Sequence, residues 1–269
     1  MRTILPVSYM VAVLLSMTAP RICLAGTTPS EVQEYKALKL QAETGDKVAQ
    51  CNLGLLYEKG NGAEQDFVEA AKWYKKAADQ GLADAQSNLG FLYYNGIGLT
   101  QDYSEAARWY RRAAEQGLAR GQCNLGLCYY NGYGVTRDLF QAVKLYRKAA
   151  EKGDTYAQTC LAYCYAHGEG VDKDQSAAVT WYRKAAEQGD AAAQCNLGAC
   201  YEDGNGVIKD EIEAYAYYNL AAITEDFARK NRGEIEKKLS AEARLRAQQR
   251  TKELQKEIEA KIAAKKAGK

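Results

Sequence analysis

The sequence is poor in the residues that interrupt helices and in those that most often carry out catalysis. It has three prolines and one histidine in 269 residues. Proline breaks helices and histidine is the usual general base and zinc ligand, so this scarcity favours a helical chain without histidine chemistry. There is no Cys-x-x-Cys pair, Ser-x-x-Lys or Lys-Thr-Gly motif of the kinds that mark zinc sites and serine β-lactamases. We therefore predict a non-enzymatic protein with no cofactor and no metal, although paired carboxylates stay open because the sequence does not show which acidic residues converge.

Long apolar runs are also scarce, and the longest lies at the N-terminus. Arg2 precedes an apolar run over residues 4–15, which has the length of a signal-peptide core and is too short to span a bilayer. Cys23-Leu24-Ala25 then offers small residues at a processing site. We predict a signal peptide over residues 1–25 and a periplasmic or secreted protein with no stable membrane insertion. Lipidation of Cys23 is the alternative, and the residues before it do not resemble a lipobox.

The two ends of the chain differ in charge. Residues 26–224 carry 20 basic and 26 acidic side chains, whereas residues 225–269 carry 14 basic and 8 acidic ones. An acidic body disfavours a nucleic-acid groove along it. The basic tail is interpreted as solvated helix charge, with contact to an anionic surface as the alternative.

A repeat of 36 residues dominates the chain. Its first position is always glycine, and five copies follow one another without insertion or deletion. The copies are 45–80, 81–116, 117–152, 153–188 and 189–224. Residues 26–44 are predicted to form an N-terminal capping helix, and residues 225–269 a basic helical cap or tail, with Leu254, Ile258 and Ile262 as its apolar stripe.

Each repeat has the pattern of two helices joined by a glycine-rich loop. In the first copy Leu53 and Tyr57, four residues apart, share one face of the first helix, which predicts a buried stripe. Gly60 and Gly62 are placed to end that helix and turn the chain. Asp66 is predicted to cap the second helix, with Glu69 completing a capping box. One such hairpin cannot bury its apolar faces alone, so stacking of the copies is required.

The unit resembles the Sel1-like repeat, a relative of the tetratricopeptide repeat. The stretch from Ala85 to Gly117 is AQSNLGFLYYNGIGLTQDYSEAARWYRRAAEQG. The resemblance covers about two thirds of the chain. It implies an all-α fold, a right-handed α/α superhelix (solenoid) of five 36-residue Sel1-like repeats with helical caps, and a scaffold that binds a protein or peptide. We also predict a monomer. A cysteine-rich subgroup of the family suggests the alternative of β-lactam binding or hydrolysis.

Seven cysteines follow the predicted signal peptide. Pairs five apart along one helix lie beyond disulfide reach, and the pair four apart needs awkward geometry. The cysteine-rich relatives staple their repeats at positions that hold alanine and glutamine here, in the columns of Ala78 and Gln86. We predict that most of these cysteines are unpaired small hydrophobes, with an inter-repeat bridge through Cys160 as the alternative. Cys123 is predicted to face the groove and to react faster than Cys128.

The resemblance to tetratricopeptide arrays also predicts a binding groove lined by the first helices. Positions that vary among the copies while the scaffold stays fixed carry aromatic and apolar side chains in the middle three repeats. Rigid rings give a large contact area at low entropic cost and often anchor partners. The alternative is that part of this stripe packs between repeats. The predicted partner-binding residues are Phe91, Tyr94, Leu127, Tyr130, Tyr156 and Tyr163.

Overall fold

The computed structural model describes residues 29–267, which form thirteen helices and no strand. The predicted signal peptide over residues 1–25 lies outside the described residues. The helices are α1 (Pro29–Glu43), α2 (Lys47–Lys59), α3 (Phe67–Asp79), α4 (Ala83–Asn95), α5 (Tyr103–Glu115), α6 (Ala119–Asn131), α7 (Leu139–Glu151), α8 (Thr155–His167), α9 (Gln175–Ala186), α10 (Ala191–Asp203), α11 (Glu211–Ala221), α12 (Asp226–Glu236) and α13 (Ala241–Ala267). The all-α prediction and the two-helix repeat are confirmed.

Of the described residues, 29–149 form one compact unit and 150–267 form another. In the first unit α1 packs on α2, and each helix from α2 to α5 packs on the next. In the second unit α8 packs on α9, α9 on α10, and α10 on α11, while α11 also contacts α12 and α13. Each hairpin therefore buries its apolar faces against its neighbours within its own unit.

The two loop glycines have different roles. Gly60 closes α2 with a left-handed backbone at φ 70°, and its N–H donates to the carbonyl of Leu56. The second glycine of a loop also has positive φ, and it permits a close approach as well. A Cβ on Gly134 would lie 2.0 Å from the carbonyl oxygen of Tyr103. This glycine is thus required where the loop of one repeat meets the second helix of the repeat before it.

Aspartate caps begin the second helices, as predicted. Asp66 Oδ1 accepts hydrogen bonds from the backbone N–H of Val68 at 2.9 Å and of Glu69 at 3.0 Å. The second half of the predicted capping box, in which the Glu69 side chain accepts from the Asp66 N–H, is wrong. The Asp66 N–H donates to the carbonyl of Tyr57 at 3.0 Å, and the Glu69 carboxylate pairs with Lys72 at 2.5 Å. The loop supplies the acceptor that a box glutamate would otherwise provide.

The two helices of a repeat meet through a tyrosine on a glycine. The ring of Tyr74 in α3 is fully buried and lies against Gly54 in α2, where an added Cβ would be 2.8 Å from its Cδ1 atom. The same relationship joins Gly90 to Tyr110 and Gly198 to Tyr218. The missing side chain therefore sets how closely the two helices approach.

A buried glutamine joins each repeat to the one before it, a role that the sequence analysis did not assign. Gln86 Nε2 donates to the carbonyl of Ala78 at 3.2 Å, and Gln86 Oε1 accepts from Gln116 Nε2 at 2.8 Å. In the second unit Gln158 makes the same two bonds, with Ala150 and with Gln188. Each glutamine donates to a carbonyl at the end of a second helix, and that carbonyl also accepts from the backbone, as Ala78 does from the Gly81 N–H at 3.0 Å.

The C-terminal residues form two helices, α12 and α13, within the segment that was predicted to be a helical cap or tail. Ile235 of α12 packs with Cys195 and Ala199 in a cluster that also includes residues of α11 and α13. In α13 the predicted apolar stripe of Leu254, Ile258 and Ile262 packs against a cluster of α8–α11. Because α12 and α13 cover apolar faces of the last repeats, they fit the role of a cap.

The seven cysteines of the described chain are buried thiols, in agreement with the prediction that most form no disulfide. The expectation that Cys123 is accessible is wrong, because it is 2% exposed and Cys128 is 0% exposed. The equivalent Cys51 belongs to a buried cluster with Ala85 and Leu89 of the next repeat. The most exposed of the seven is Cys51, at 8%.

Candidate functional site

The predicted partner-binding residues lie on first helices, and the structure gives them two degrees of burial. Within each unit, we call the side of the first helices that carries these columns the first-helix face. Phe91, Tyr130 and Tyr156 are half-buried. The other three, Tyr94, Leu127 and Tyr163, are buried, with 8%, 4% and 8% exposed. Four of the six belong to the unit of residues 29–149, and Tyr156 and Tyr163 belong to the unit of residues 150–267.

In the first unit Tyr94 joins an aromatic cluster at the ends of the helices. Its ring is edge-on to Tyr103 at 5.2 Å and to Tyr133 at 5.8 Å, and those two rings stack at 4.7 Å with 14° between their planes. Burial, followed by the neighbouring Tyr133, raises the pKa of Tyr94, so its phenol is neutral at physiological pH. The cluster offers ring edges and hydroxyl groups together.

Polar and charged side chains flank the half-buried rings of this unit. Asn95 Nδ2 donates to the carbonyl of Phe91 at 2.9 Å, which fixes the amide on the last turn of α4. Arg120 and Asp84, both exposed, approach to 3.5 Å across one repeat interval. An exposed pair of this kind contributes little stability. Its charges remain available to a partner.

In the second unit Tyr163 carries a stacked histidine. The His167 ring lies 4.0 Å from the Tyr163 ring with 24° between the planes, and His167 Nδ1 is 2.9 Å from the Tyr163 carbonyl oxygen. Thr159, one helical turn before Tyr163, is buried and bonds to Asp190 at 3.1 Å. The stacked pair therefore reaches the surface of α8 through the exposed His167 ring.

A sequence model of the Sel1 repeat matches five consecutive segments of this chain. The segments are residues 47–82, 83–118, 119–154, 155–190 and 191–223. The chain belongs to the Sel1 repeat family. The family suggests a scaffold for protein–protein interaction, and Sel1 repeat proteins are in general non-enzymatic.

Solved structures of Sel1 repeat proteins are similar to this one. A Sel1 repeat protein from Oxalobacter formigenes is 34% identical, with a TM-score of 0.72, over 81% of this chain and 90% of that one. A protein of Klebsiella pneumoniae described as a Sel1 repeat protein is 23% identical, with a TM-score of 0.52, over 75% of this chain and 99% of that one. The similarity to the Klebsiella protein shows a shared fold only. No curated protein sequence matches the chain.

Tyr103, Tyr133 and His167 are not among the predicted partner-binding residues. Tyr133 is the middle residue of a Gly-x-Gly loop and Tyr103 begins a second helix, so neither lies in a first-helix column. Tyr133 could nevertheless have been singled out from the sequence, because it is aromatic where the other repeats are not. The equivalent loop positions in the other four Sel1 repeats hold asparagine, isoleucine, glutamate and asparagine.

The second unit also has a cleft of about 510 Å³ between the last repeats and α13. Arg183 donates to the hydroxyl of Tyr201 at 2.9 Å, and Arg250 pairs with Glu213 at 2.6 Å. The exposed Ile208 is at its edge. Its charges are engaged by each other, so we assign it to the docking of α13 onto the Sel1 repeats.

Within residues 29–267 no group of three or more His, Cys, Asp or Glu residues is arranged to hold a metal ion. Over the same residues, no helix combines the length and the apolar character that a membrane span requires.

Proposed function

We propose that this Sel1 repeat protein is a binding scaffold that holds a peptide or helix of another protein on its first-helix face. The observation that supports the proposal most strongly is the half-buried state of Phe91 and Tyr130. They occupy first helices of consecutive repeats, with the Tyr94 cluster close in sequence. Half-buried rings held by a rigid scaffold gain contact area on binding and lose little conformational entropy.

The buried members of the predicted set have a supporting role in this proposal. Tyr94, Leu127 and Tyr163 lose most of their surface to packing within the protein. They therefore fix the positions of the helices that present the half-buried rings. Phe91 and Tyr130, both in the unit of residues 29–149, are the residues that we propose contact the partner directly, and Tyr156 presents a half-buried ring in the other unit.

The place of action in this proposal is the cell envelope or the secreted space, and the mature protein acts there as a monomer. The sequence pattern of residues 1–25 supports export. The chain has a stack of repeats closed by α12 and α13 in the second unit, which suits a protein that needs no second copy to cover its last repeat.

The alternative function is β-lactam binding or hydrolysis, which rests on the cysteine-rich relatives. This chain departs from them at the stapling positions and has no Ser-x-x-Lys or Lys-Thr-Gly motif. A fluorescent penicillin tests it directly. Covalent or saturable labelling of the purified protein would replace the scaffold proposal with this alternative.

Photo-crosslinking tests the scaffold proposal in the cells that make the protein. Benzoylphenylalanine replaces Phe91 in one variant and Lys72 in the control, whose side chain is 60% exposed on a second helix. We expect a discrete crosslinked protein from position 91 and none from position 72. Equal crosslinking from both positions, or a stronger product from position 72, would place the binding surface elsewhere.

A further inference from the structure

A second cleft of the unit of residues 150–267 is lined by the first turn of α8, the end of α9 and the C-terminal turns of α13. Its volume is about 460 Å³. We call it the lysine cleft, because its charged side chains are those of Lys184, Glu187, Lys261, Lys265 and Lys266. All four lysines are exposed, so a group from outside the protein can reach them.

Most of the positive charge of the lysine cleft is not neutralised by the protein itself. Lys261 pairs with Glu187 at 2.9 Å. The other three, Lys184, Lys265 and Lys266, form no ion pair within residues 29–267. In the cleft of about 510 Å³, by contrast, the lining has four acidic and three basic side chains. Three positive charges of the lysine cleft therefore remain for a ligand.

Two of these three lysines are held by contacts that leave their charge intact. Lys184 Nζ lies 4.0 Å from the centre of the Trp181 ring, and a cation–π contact orients an ammonium group without neutralising it. Lys265 Nζ donates to the amide oxygen of Gln188. That amide is fixed in turn, because its Nε2 donates to Gln158 Oε1 at 2.7 Å. Groups that are already held in place lose less conformational entropy when a ligand binds.

We propose that the lysine cleft is a docking site for an acidic segment of a partner protein, whose carboxylates pair with Lys184, Lys265 and Lys266. The site goes beyond the proposed function, because it is a second contact surface that does not depend on Phe91 or Tyr130. Ammonium and carboxylate groups form charge-assisted hydrogen bonds, which are stronger than neutral ones. A volume of about 460 Å³ is also within the range of ligand-binding clefts, about 300–1,000 Å³.

An acidic protein segment fits this cleft better than an anionic membrane does. The lysines line a concave surface together with the apolar Ile262 and the amides of Gln158 and Gln188. A peptide can fill such a surface with carboxylates and carbon chains together, whereas a bilayer is a broad surface that attracts charges on an open face. Residues 26–224 also carry 26 acidic and 20 basic side chains, and this excess of negative charge opposes approach to an anionic membrane.

Fluorescence anisotropy with the full chain provides the first part of the test. The probes are the dye-labelled peptide Gly-Glu-Glu-Ala-Glu-Glu-Gly and its counterpart with Gln in place of Glu. At low ionic strength we expect the Glu peptide to bind saturably and roughly tenfold more tightly than the Gln peptide. This advantage should largely disappear at about 1 M salt, because the charges of the cleft are exposed and are screened.

Matched charge variants provide the second part. The site variant combines Lys184→Gln, Lys265→Gln and Lys266→Gln. The control variant loses the same three charges from exposed lysines of the same unit that do not line the cleft, by Lys230→Gln, Lys252→Gln and Lys256→Gln. We expect the site variant to bind the Glu peptide about tenfold more weakly than the wild-type protein, and the control variant to bind within a factor of about two.

A single substitution separates binding from the docking of α13. Lys265 also bonds to Gln188, so the melting temperature of every variant is measured. Lys184→Gln alone leaves the contacts of α13 in place and is expected to weaken the Glu peptide about two- to threefold without a change in melting temperature. Lys184→Arg keeps the charge and is expected to keep the affinity.

Each other result overturns a stated part of the proposal. Equal affinity of the Glu and Gln peptides, or an equal loss in the site and control variants, would overturn the site. Inorganic phosphate that binds as tightly as the Glu peptide would assign the cleft to small anions. Phosphatidylglycerol vesicles that bind through these lysines while the Glu peptide does not would assign it to a membrane surface.

The same assay distinguishes this proposal from the scaffold function. Phe91→Ala is expected to leave the affinity for the Glu peptide unchanged, and a loss in this variant would overturn the independence of the two surfaces. If position 91 crosslinks a partner while the Glu peptide does not bind, the lysine cleft fails and the scaffold function stands.

Discussion

The hydroxyl of Tyr74 lies 2.7 Å from Oε2 of Glu58, so the second helix of the first repeat is tied to the last turn of its first helix. The tyrosine ring reaches this carboxylate by lying across Gly54. One aromatic side chain therefore fixes both the spacing of the two helices and the position of an acidic group on the first-helix face.

Loss of this hydroxyl should cost stability. Tyr74→Phe leaves the half-buried Glu58 carboxylate without its donor, and we expect a decrease of about 0.5–1.5 kcal/mol in the free energy of unfolding. Urea denaturation measures the change. Tyr182→Phe is the matched control, since its hydroxyl has no acceptor to lose. An equal loss in both variants would show that the ring position and not the hydrogen bond is responsible.

The glutamine that joins two repeats should contribute to the free energy of unfolding. Gln86→Leu keeps most of the side-chain volume but removes the donor to Ala78 and the acceptor for Gln116. We expect a loss of about 0.5–1.5 kcal/mol, because the buried hydrogen bond to the Ala78 carbonyl is lost, while that carbonyl keeps the Gly81 N–H and Gln116 is exposed. The exposed Gln249→Leu, on α13, is the control. A change in Gln86→Leu no larger than in this control would contradict the assigned role.

The thiols should react slowly in the folded protein. Burial, the largest cause, raises the pKa of Cys51 to about 11 and that of Cys128 to about 12. Since the thiolate is the reactive form, both lower access and a lower thiolate fraction oppose reaction. We expect labelling by a disulfide reagent to be about 100-fold slower in buffer than in denaturant, to speed up as the pH rises, and to begin at Cys51. Fast labelling of Cys123 would restore the groove-facing position that the sequence predicted.

Asp190 should make stability depend on pH. Burial raises its pKa from 3.8, against the opposing hydrogen bonds from Ala193 and Thr159. A raised pKa in the folded state means that its favourable contribution is present below 3.8 and is lost as the pH rises through the folded value. Asp190→Asn keeps an N-cap acceptor. We therefore expect it to be more stable than the wild-type protein at about pH 7 and to lose that advantage in acid.

Glu225 provides a check on this assignment. Its pKa is also raised, by burial first and then by the charges of Asp190 and Asp226. Glu225→Gln removes one of these like charges, so it should reduce the pH dependence as well. Chemical denaturation at a series of pH values measures both variants. A pH profile unchanged from the wild-type protein in both variants would contradict the account.

The repeat period made most of the helical fold predictable. Gly60, Asp66 and Leu53 each have a local physical requirement, for a left-handed turn, a helix cap and a buried side chain, and the structure agrees with all three. The reciprocal capping box was not predictable from local spacing. It depends on the Tyr57 carbonyl, which the loop over residues 60–66 brings to the Asp66 N–H.

The candidate site was less predictable, because exposure depends on the neighbouring repeat. Phe91 and Leu127 occupy the same column, yet the first is half-buried and the second is buried. A column gives the direction of a side chain relative to its own helix, and it does not give the volume of the side chains that meet it from the next repeat. The cluster of Tyr94, Tyr103 and Tyr133 was not predicted for the same reason, since it joins residues of a first helix, a second helix and a loop.

The affinity of a crosslinked partner for first-helix-face variants tests the central claim most directly. Replacing Phe91 or Tyr130 by alanine should weaken binding by roughly 1–3 kcal/mol, measured by calorimetry on protein shown to be folded. Alanine at Lys72 or Arg108, both more than half exposed on second helices, should leave the affinity unchanged. If the aromatic variants melt several degrees lower yet bind as tightly as the wild-type protein, these rings belong to the core and the partner binds elsewhere.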